Sequence, residues 1–222
     1  MPLQQLVAYF NQRFIEEQGL ANPPLRLKGQ VVEGQCDGVW FGSILQPVYQ
    51  PTDVSRVIAY NAALKVVDEP AHMPSSLANA LASGSRTRSQ DNEIPNHTVI
   101  HLDRLSRTVH MLNFLVFSHE VRSLFLQVHP RHILAVDREH GAYFEEIILR
   151  CGLSPQRIVI SLPVNRAYCG QIPLLLNRLN NYRDRGYATA LKFKDALGES
   201  GYTEILDQFA PDFISFDGYW LE

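Results

Sequence analysis

Cysteine is scarce: Cys36, Cys151 and Cys169 stand far apart and are odd in number. That pattern supports neither a disulfide framework nor a zinc spacing, and it reads as reduced thiols in a cytoplasmic protein. Long apolar runs are missing too. The densest, Met111–Phe117, is far too short to span a bilayer. The N-terminus has no basic region followed by an apolar stretch, so it does not read as a signal peptide. Basic excess is absent, with a net charge of −3 over 222 residues, which argues against a nucleic-acid polymer as partner. No phosphate-binding glycine loop occurs, because Gly198-Glu199-Ser200-Gly201 lacks both the dinucleotide spacing and the P-loop lysine. A Gly-x-Ser-x-Gly nucleophile elbow is also missing.

What the chain has is alternation. Four short apolar runs in the second half, Leu124–Val128, Ile158–Leu162, Ala188–Phe193 and Phe213–Phe216, are separated by helical patterns. Strands in that rhythm predict an α/β fold with a parallel sheet, wound as a barrel or an open sheet. In such a sheet the loop-facing strand ends form the active face.

Helices are predicted at four main places. Leu3–Glu17 carries Leu3, Leu6, Val7, Phe10 and Phe14 on one face and stops at Gly19. It serves either as a helix packed on its own domain or as a dimerisation or signalling helix. Leu102–Phe117 is the strongest pattern. One helix runs to about Arg150 with Phe144, Ile147 and Ile148 facing in, and another spans Ile172–Arg185 before Gly186. A short helix is expected around Ile205–Phe209. Leu25–Gln50 reads as extended, with glycine punctuation, and Val57–Lys65 as a further strand. Residues 69–96, rich in Ser, Ala, Asn and Pro, read as a mobile segment with one short helix near Leu77–Leu81.

The order of these segments resembles the EAL-domain family, the cyclic di-GMP phosphodiesterases of bacteria, from about Phe41 onward. Leu45-Gln46-Pro47-Val48 is similar to the family's opening Gln-Pro-Ile strand. Tyr60-Asn61-Ala62-Ala63-Leu64-Lys65 sits where the Glu-Ala-Leu signature and its following Arg belong. Leu126-Gln127-Val128-His129-Pro130 resembles the Asn-x-Ser-Pro strand end, and Arg157–Leu162 the strand that carries a Glu. Gly186–Phe193 resembles the strand ending in an Asp pair, and Ala210–Asp217 the strand with a catalytic Lys before an Asp. The resemblance implies a TIM-barrel-like EAL fold over residues 41–222, preceded by an N-terminal helix and extended segment over residues 1–40.

The motif residues depart from the family. Asn61 replaces the signature Glu, Gln127 the Asn, Ser161 the second Glu, Lys192 and Phe193 the Asp pair, and Ser215 the Lys; Gln46 and Asp217 are retained. Family chemistry uses two divalent cations to activate water and neutralise phosphoryl charge. Hard cations need carboxylate and amide oxygens in a near-fixed shell. No carboxylate remains at the replaced positions, and Lys192 places an ammonium where a cation would sit. Two unit positive charges about 4 Å apart repel by about 4 kcal/mol at a protein-like dielectric. The nearest other acids are Glu69, Asp137, Glu139 and Asp195.

The expectation is therefore a degenerate EAL-like domain with no catalytic residues, no metal and no cofactor. It acts as a signalling or regulatory protein by binding another protein or a second copy of itself, with a dimer as one form. The alternative is a non-catalytic cyclic di-GMP receptor. It would use Gln46, Lys65, Gln127 and Lys192 toward the phosphates and Tyr49 or Phe193 as stacking partners. An active phosphodiesterase is the third and weakest reading. Similar domains carry two more strand–helix units after the Asp217 position, so an incomplete or modified C-terminal end of the barrel is expected. His129 and His132, near His119 and His140, match no ligand spacing and read as chance clustering.

Overall fold

A computed structural model describes residues 1–50, 52–68, 95–119, 123–136, 141–193, 199–216 and 219–221. Its helices are α1 (Leu3–Gln18), α2 (Asn96–Phe114), α3 (Pro130–Ala135), α4 (Ala142–Arg150), α5 (Ile172–Arg183) and α6 (Glu199–Gln208). The strands are β1 (Leu25–Lys28), β2 (Val31–Cys36), β3 (Val39–Gln50), β4 (Asp53–Asp68), β5 (Ser123–Gln127), β6 (Ile158–Val164), β7 (Ala188–Phe193), β8 (Phe213–Phe216) and β9 (Tyr219–Leu221). All nine belong to one sheet in sequence order, so each strand pairs with the next. The pairs from β1 to β4 are antiparallel, those from β4 to β8 are parallel, and β9 turns back antiparallel on β8.

The four second-half strands stand where the apolar runs predict them. Several boundaries differ for local reasons. The strongest helical pattern begins earlier, at Asn96, and its last three residues, Leu115–Phe117, tighten into a 3-10 turn. The stretch expected as one helix up to Arg150 contains two, α3 and α4, with residues 137–140 outside the described residues. His129 starts α3 because its ring Nδ1 accepts the Arg131 backbone N–H at 3.1 Å and Pro130 fills the first turn. Arg178 closes the other end, donating to the carbonyls of Ile133 and Leu134 at 2.7 Å and of Val136 at 3.1 Å. The segment expected to be mobile falls outside the described residues over 69–94.

Helix α1 uses its apolar face within its own chain. Phe10 and Phe14 are fully buried, and Leu6 and Val7 join them in the main core. Arg13 and Tyr9 then reach Glu146 on α4 at 2.9 Å each. Of the two roles read from the sequence, packing on its own domain accounts for this face.

Helix α2 is keyed to the antiparallel strands by side chains that imitate a neighbouring strand. Asn113 accepts from the Val32 backbone N–H and donates to its carbonyl, both at 2.8 Å. Gly34 makes the close approach feasible. A Cβ there would come within 2.9 Å of both Phe41 Cζ and Val109 Cγ2, inside any permitted carbon contact. Gly34→Ala should therefore lower unfolding free energy by about 1–3 kcal/mol through overpacking, read as a drop in urea midpoint at constant slope. An unchanged midpoint would contradict this packing.

Candidate functional site

Side chains alternate across the curled sheet, and register places three layers of them on its inner face. Asn61, Phe125, Val159 and Ala188 are neighbours across β4 to β7. Gln127, Ser161, Ala190 and Phe213 form the next row across β5 to β8. Pro163, Lys192, Ser215 and Trp220 form the row nearest the carboxyl ends of the parallel strands. The curl is direct in the ring contacts. Phe125 on β5 meets Phe213 at 5.0 Å and Trp220 at 4.4 Å, although β8 and β9 lie three and four strands away in the sheet. A small inner core of Val48, Ala59, Phe125, Val159 and Ala190 sits below this mouth.

Most of the residues singled out from sequence converge on this face. Asn61 donates to Gln46 at 3.3 Å across the antiparallel β3–β4 pair. Lys65, four residues along β4, shares the face and is exposed. Gln127 stands opposite Ser161, and Lys192 opposite Ser215. Lys192 Nζ lies 6.0 Å from the centre of the Trp220 ring, a distance at the outer limit of cation–π attraction. The hydroxyls of Ser161 and Ser215 are buried, at 1% and 0% relative exposure, and neither has a hydrogen-bond partner. Each such orphan costs about 1–3 kcal/mol.

Phe193 is the exception. It follows Lys192 by one residue and so lies on the opposite face, buried among the helices. It stacks on Phe216 at 5.0 Å and meets Tyr202 of α6 edge-on. It cannot stack on a ligand in the mouth, which corrects that part of the sequence reading. Tyr49 likewise follows the inward Val48 and is exposed on the other side of its strand. Asp217 and the four acids Glu69, Asp137, Glu139 and Asp195 lie outside the described residues.

The matched positions among the described residues do not suit a divalent pair. Three neutral oxygens (Asn61, Gln127, Ser161) and one ammonium face the mouth, without a carboxylate among them, and Phe193 offers no donor and points away. Among the described residues no group of three or more His, Cys, Asp or Glu side chains could hold a metal ion.

A second polar cluster was not legible in the sequence. Asp103 on α2 accepts from Arg107 Nη2 at 2.5 Å, from the His129 backbone N–H at 2.8 Å and from His132 Nδ1. All three side chains are buried, and Arg107 lies over the Phe144 ring at 4.0 Å. Burial alone would raise the Asp103 carboxyl, but Arg107 and His132 outweigh it and hold it below the usual carboxylate range. The cluster pins the turn that directly follows Gln127. The histidines expected to cluster by chance are thus separated in role: His129 caps α3 and His132 is a buried partner of Asp103.

His110 on α2 is also buried, and burial pulls its pKa down to about 3. Its Nδ1 shares a hydrogen bond with the Ser43 hydroxyl at 2.7 Å, and that hydroxyl also accepts from Asn113 at 3.2 Å. Unfolded, the same imidazole takes up its proton near its ordinary value of 6.5. The unfolded state therefore binds more protons between those two values, and stability must fall on acidification through that window. The depressed His132 works in the same direction. Between pH 6 and 4 His110 alone should lower the unfolding free energy with a slope of up to about 1.4 kcal/mol per pH unit. His110→Gln should remove about one proton's share of that slope in urea titrations, and an unchanged slope would exclude His110 as the source.

Among the described residues no helix is long and apolar enough to cross a membrane. No family model matches the chain, and no curated protein does. Solved structures do. BlrP1 of Klebsiella pneumoniae, in a calcium and cyclic di-GMP complex, is similar at TM-score 0.56 and 17% identity, covering 78% of this chain and 39% of that one. The EAL domain of FimX from Xanthomonas citri, in complex with cyclic di-GMP, gives 0.56 and 14%, covering 97% and 70%. YkuI of Bacillus subtilis, a protein with an EAL domain in complex with substrate cyclic di-GMP and calcium, gives 0.57 and 17%, covering 79% and 41%. This chain thus spans less than half the length of BlrP1 and YkuI. The inward layers, the parallel run from β4 to β8 and these likenesses lead to one conclusion: the chain has the EAL-domain fold, a TIM-barrel-like α/β architecture.

Proposed function

We propose that this chain is a cyclic di-GMP-related regulatory domain that recognises rather than cleaves, and that it acts by binding another protein or a second copy of itself. In this reading residues 41–222 are the EAL-like unit, residues 1–40 an extension packed on it, and the setting is the bacterial cytoplasm. The observation that carries the proposal is the polar set facing the barrel mouth. Gln46, Asn61, Gln127, Ser161, Lys192 and Ser215 include no carboxylate, and one of them is a cation. Hydrolysis by a metal-activated water needs anionic oxygens to grip the ions. Recognition needs only the scaffold and an exposed surface. Tyr219 at 79% and Leu221 at 47% exposure offer apolar surface on an edge strand.

A second reading, a non-catalytic cyclic di-GMP receptor, is favoured by the two orphaned hydroxyls on the inner face, Ser215 opposite Lys192 and Ser161 one row deeper. Calorimetry with cyclic di-GMP separates the two: silence supports protein binding, and micromolar affinity supports the receptor. Release of linear dinucleotide in Mg²⁺ or Mn²⁺ would sink both.

Lys192 serves in this proposal as a fixed substitute for a lost cation. Its ammonium lies 6.0 Å from the centre of the Trp220 ring, on a residue paired in register with Ser215. Lys192→Asp should lower the melting temperature in metal-free buffer. A melting temperature equal to that of the parent would count against the substitution idea.

A further inference from the structure

Helices α1 and α2 cover one face of the antiparallel strands, where Leu25, Val32, Val39 and Phe41 join the main core. Their neighbours along each strand point the other way. That second face continues the inner wall of the barrel along β3 and β4, through the pairs Gln46–Asn61, Ile44–Ala63 and Gly42–Lys65. Its apolar members are Val31 at 51% exposure, Ile44 at 42%, Trp40, Ala63 and Val67, and none of the five belongs to either core cluster. Charge on this face is unevenly matched. Arg26 donates to Glu33 at 2.6 Å and to Asp68 at 2.7 Å, with its guanidinium 3.8 Å from the centre of the Trp40 ring. One cation thus engages both carboxylates of the face. Lys28 and Lys65 are exposed, and among the described residues no ion pair or hydrogen bond engages either. What the face leaves unneutralised is therefore positive, on a chain whose net charge is −3. Lys28 stands on β1 and Lys65 on β4, three strand spacings apart, on the order of 15 Å. The exposed Val31 and Ile44 lie on the two strands between them.

We propose that this face docks an amphipathic helix of a partner protein, with an apolar stripe bounded by carboxylates about three turns apart. Three turns span about 16 Å, which matches the spacing of the two lysines. The stripe lies on Val31, Ile44 and Trp40, and the carboxylates meet Lys28 at one end and Lys65 at the other. The surface is a face rather than an edge, so it takes a helix and not an added strand. This rests on the reading of the chain as a protein-binding domain, and it names the surface and the chemistry of the partner. A second copy is disfavoured here, because a twofold contact sets the same patch against itself and so brings lysine to lysine. A nucleic-acid polymer is disfavoured by Glu33 and Asp68 in the middle of the face and by the net negative charge.

The test uses the full chain and two helix-stapled peptides of about fourteen residues. Both carry a leucine stripe; one has glutamates three turns apart at its ends and the other has lysines in their place. The chain has two tryptophans, Trp40 and Trp220, so Trp220→Phe leaves Trp40 as the sole reporter. Its emission should shift to the blue with the glutamate peptide and saturate below about 1 mM. The lysine peptide should give no saturable shift. Lys28→Glu combined with Lys65→Glu should weaken the glutamate peptide about tenfold or more and admit the lysine peptide. Calorimetry of the parent chain with the same peptides reads the affinities without the Trp220 substitution. No saturation by the glutamate peptide overturns the proposal, as do equal affinities for the two peptides or an affinity that the double reversal leaves unchanged. Tighter binding to phosphatidylserine vesicles than to the peptide, lost in the same double variant, would give the face to a membrane and overturn it too. Hydrolysis of cyclic di-GMP in Mn²⁺ would defeat the recognition reading and leave the peptide result intact. Failure of the peptide on a chain that self-associates in sedimentation would strike this face alone and leave the protein-binding reading standing.

Discussion

Phe125 is the point around which the parallel strands curl. Its ring is fully buried, and it meets Phe213 and Trp220 from strands that lie far along the sheet. A flat sheet would hold those rings well apart, since neighbouring strands are about 4.8 Å apart. Burying one such aromatic contributes roughly 1.5–3 kcal/mol, and its geometry does more than its energy. With the inner face turned on itself, every second side chain of β4 to β8 points into a shared space. That is why Asn61, Gln127, Ser161, Lys192 and Ser215, spread over some 150 residues of sequence, belong to one site.

The outer face is governed by a different requirement. Helices cover it with aliphatic and aromatic side chains, and Phe193 belongs there with Tyr202 and Phe216. Charged groups in that layer are tolerated because they are paired. Arg107 is buried against Asp103, and removing one partner of such a pair typically costs about 3–5 kcal/mol because the other is stranded. The same carboxylate holds the His129 backbone, so one buried cluster ties helix α2 to the loop that leaves β5. The position of Gln127 in the mouth is thereby linked to packing on the far side of its strand.

Short apolar runs bounded by turns were readable because a fully buried parallel strand has few other sequence patterns, and β7 and β8 fall on their expected limits. The fold followed from their spacing. Strand β9 was not readable, since three residues give no period and its only inward group is Trp220. The Asp103–Arg107 pair looked like any i,i+4 surface pair on a helix; nothing local says that it is buried. The outward placement of Phe193 was legible in the sequence. Side chains in a strand alternate, so Lys192 and Phe193 could not both face the mouth. Applied to β7, that rule would have sent Phe193 to the helices from sequence alone.

Whether this mouth grips divalent ions decides between recognition and cleavage. Titrating the chain with Mn²⁺ and counting free ion by its electron paramagnetic resonance signal measures that property apart from any substrate. The polar set described here predicts that the free signal rises one-for-one with added Mn²⁺, as in buffer alone. Saturable loss of signal equivalent to two ions per chain, abolished by substitutions at Asn61 or Gln127, would contradict it.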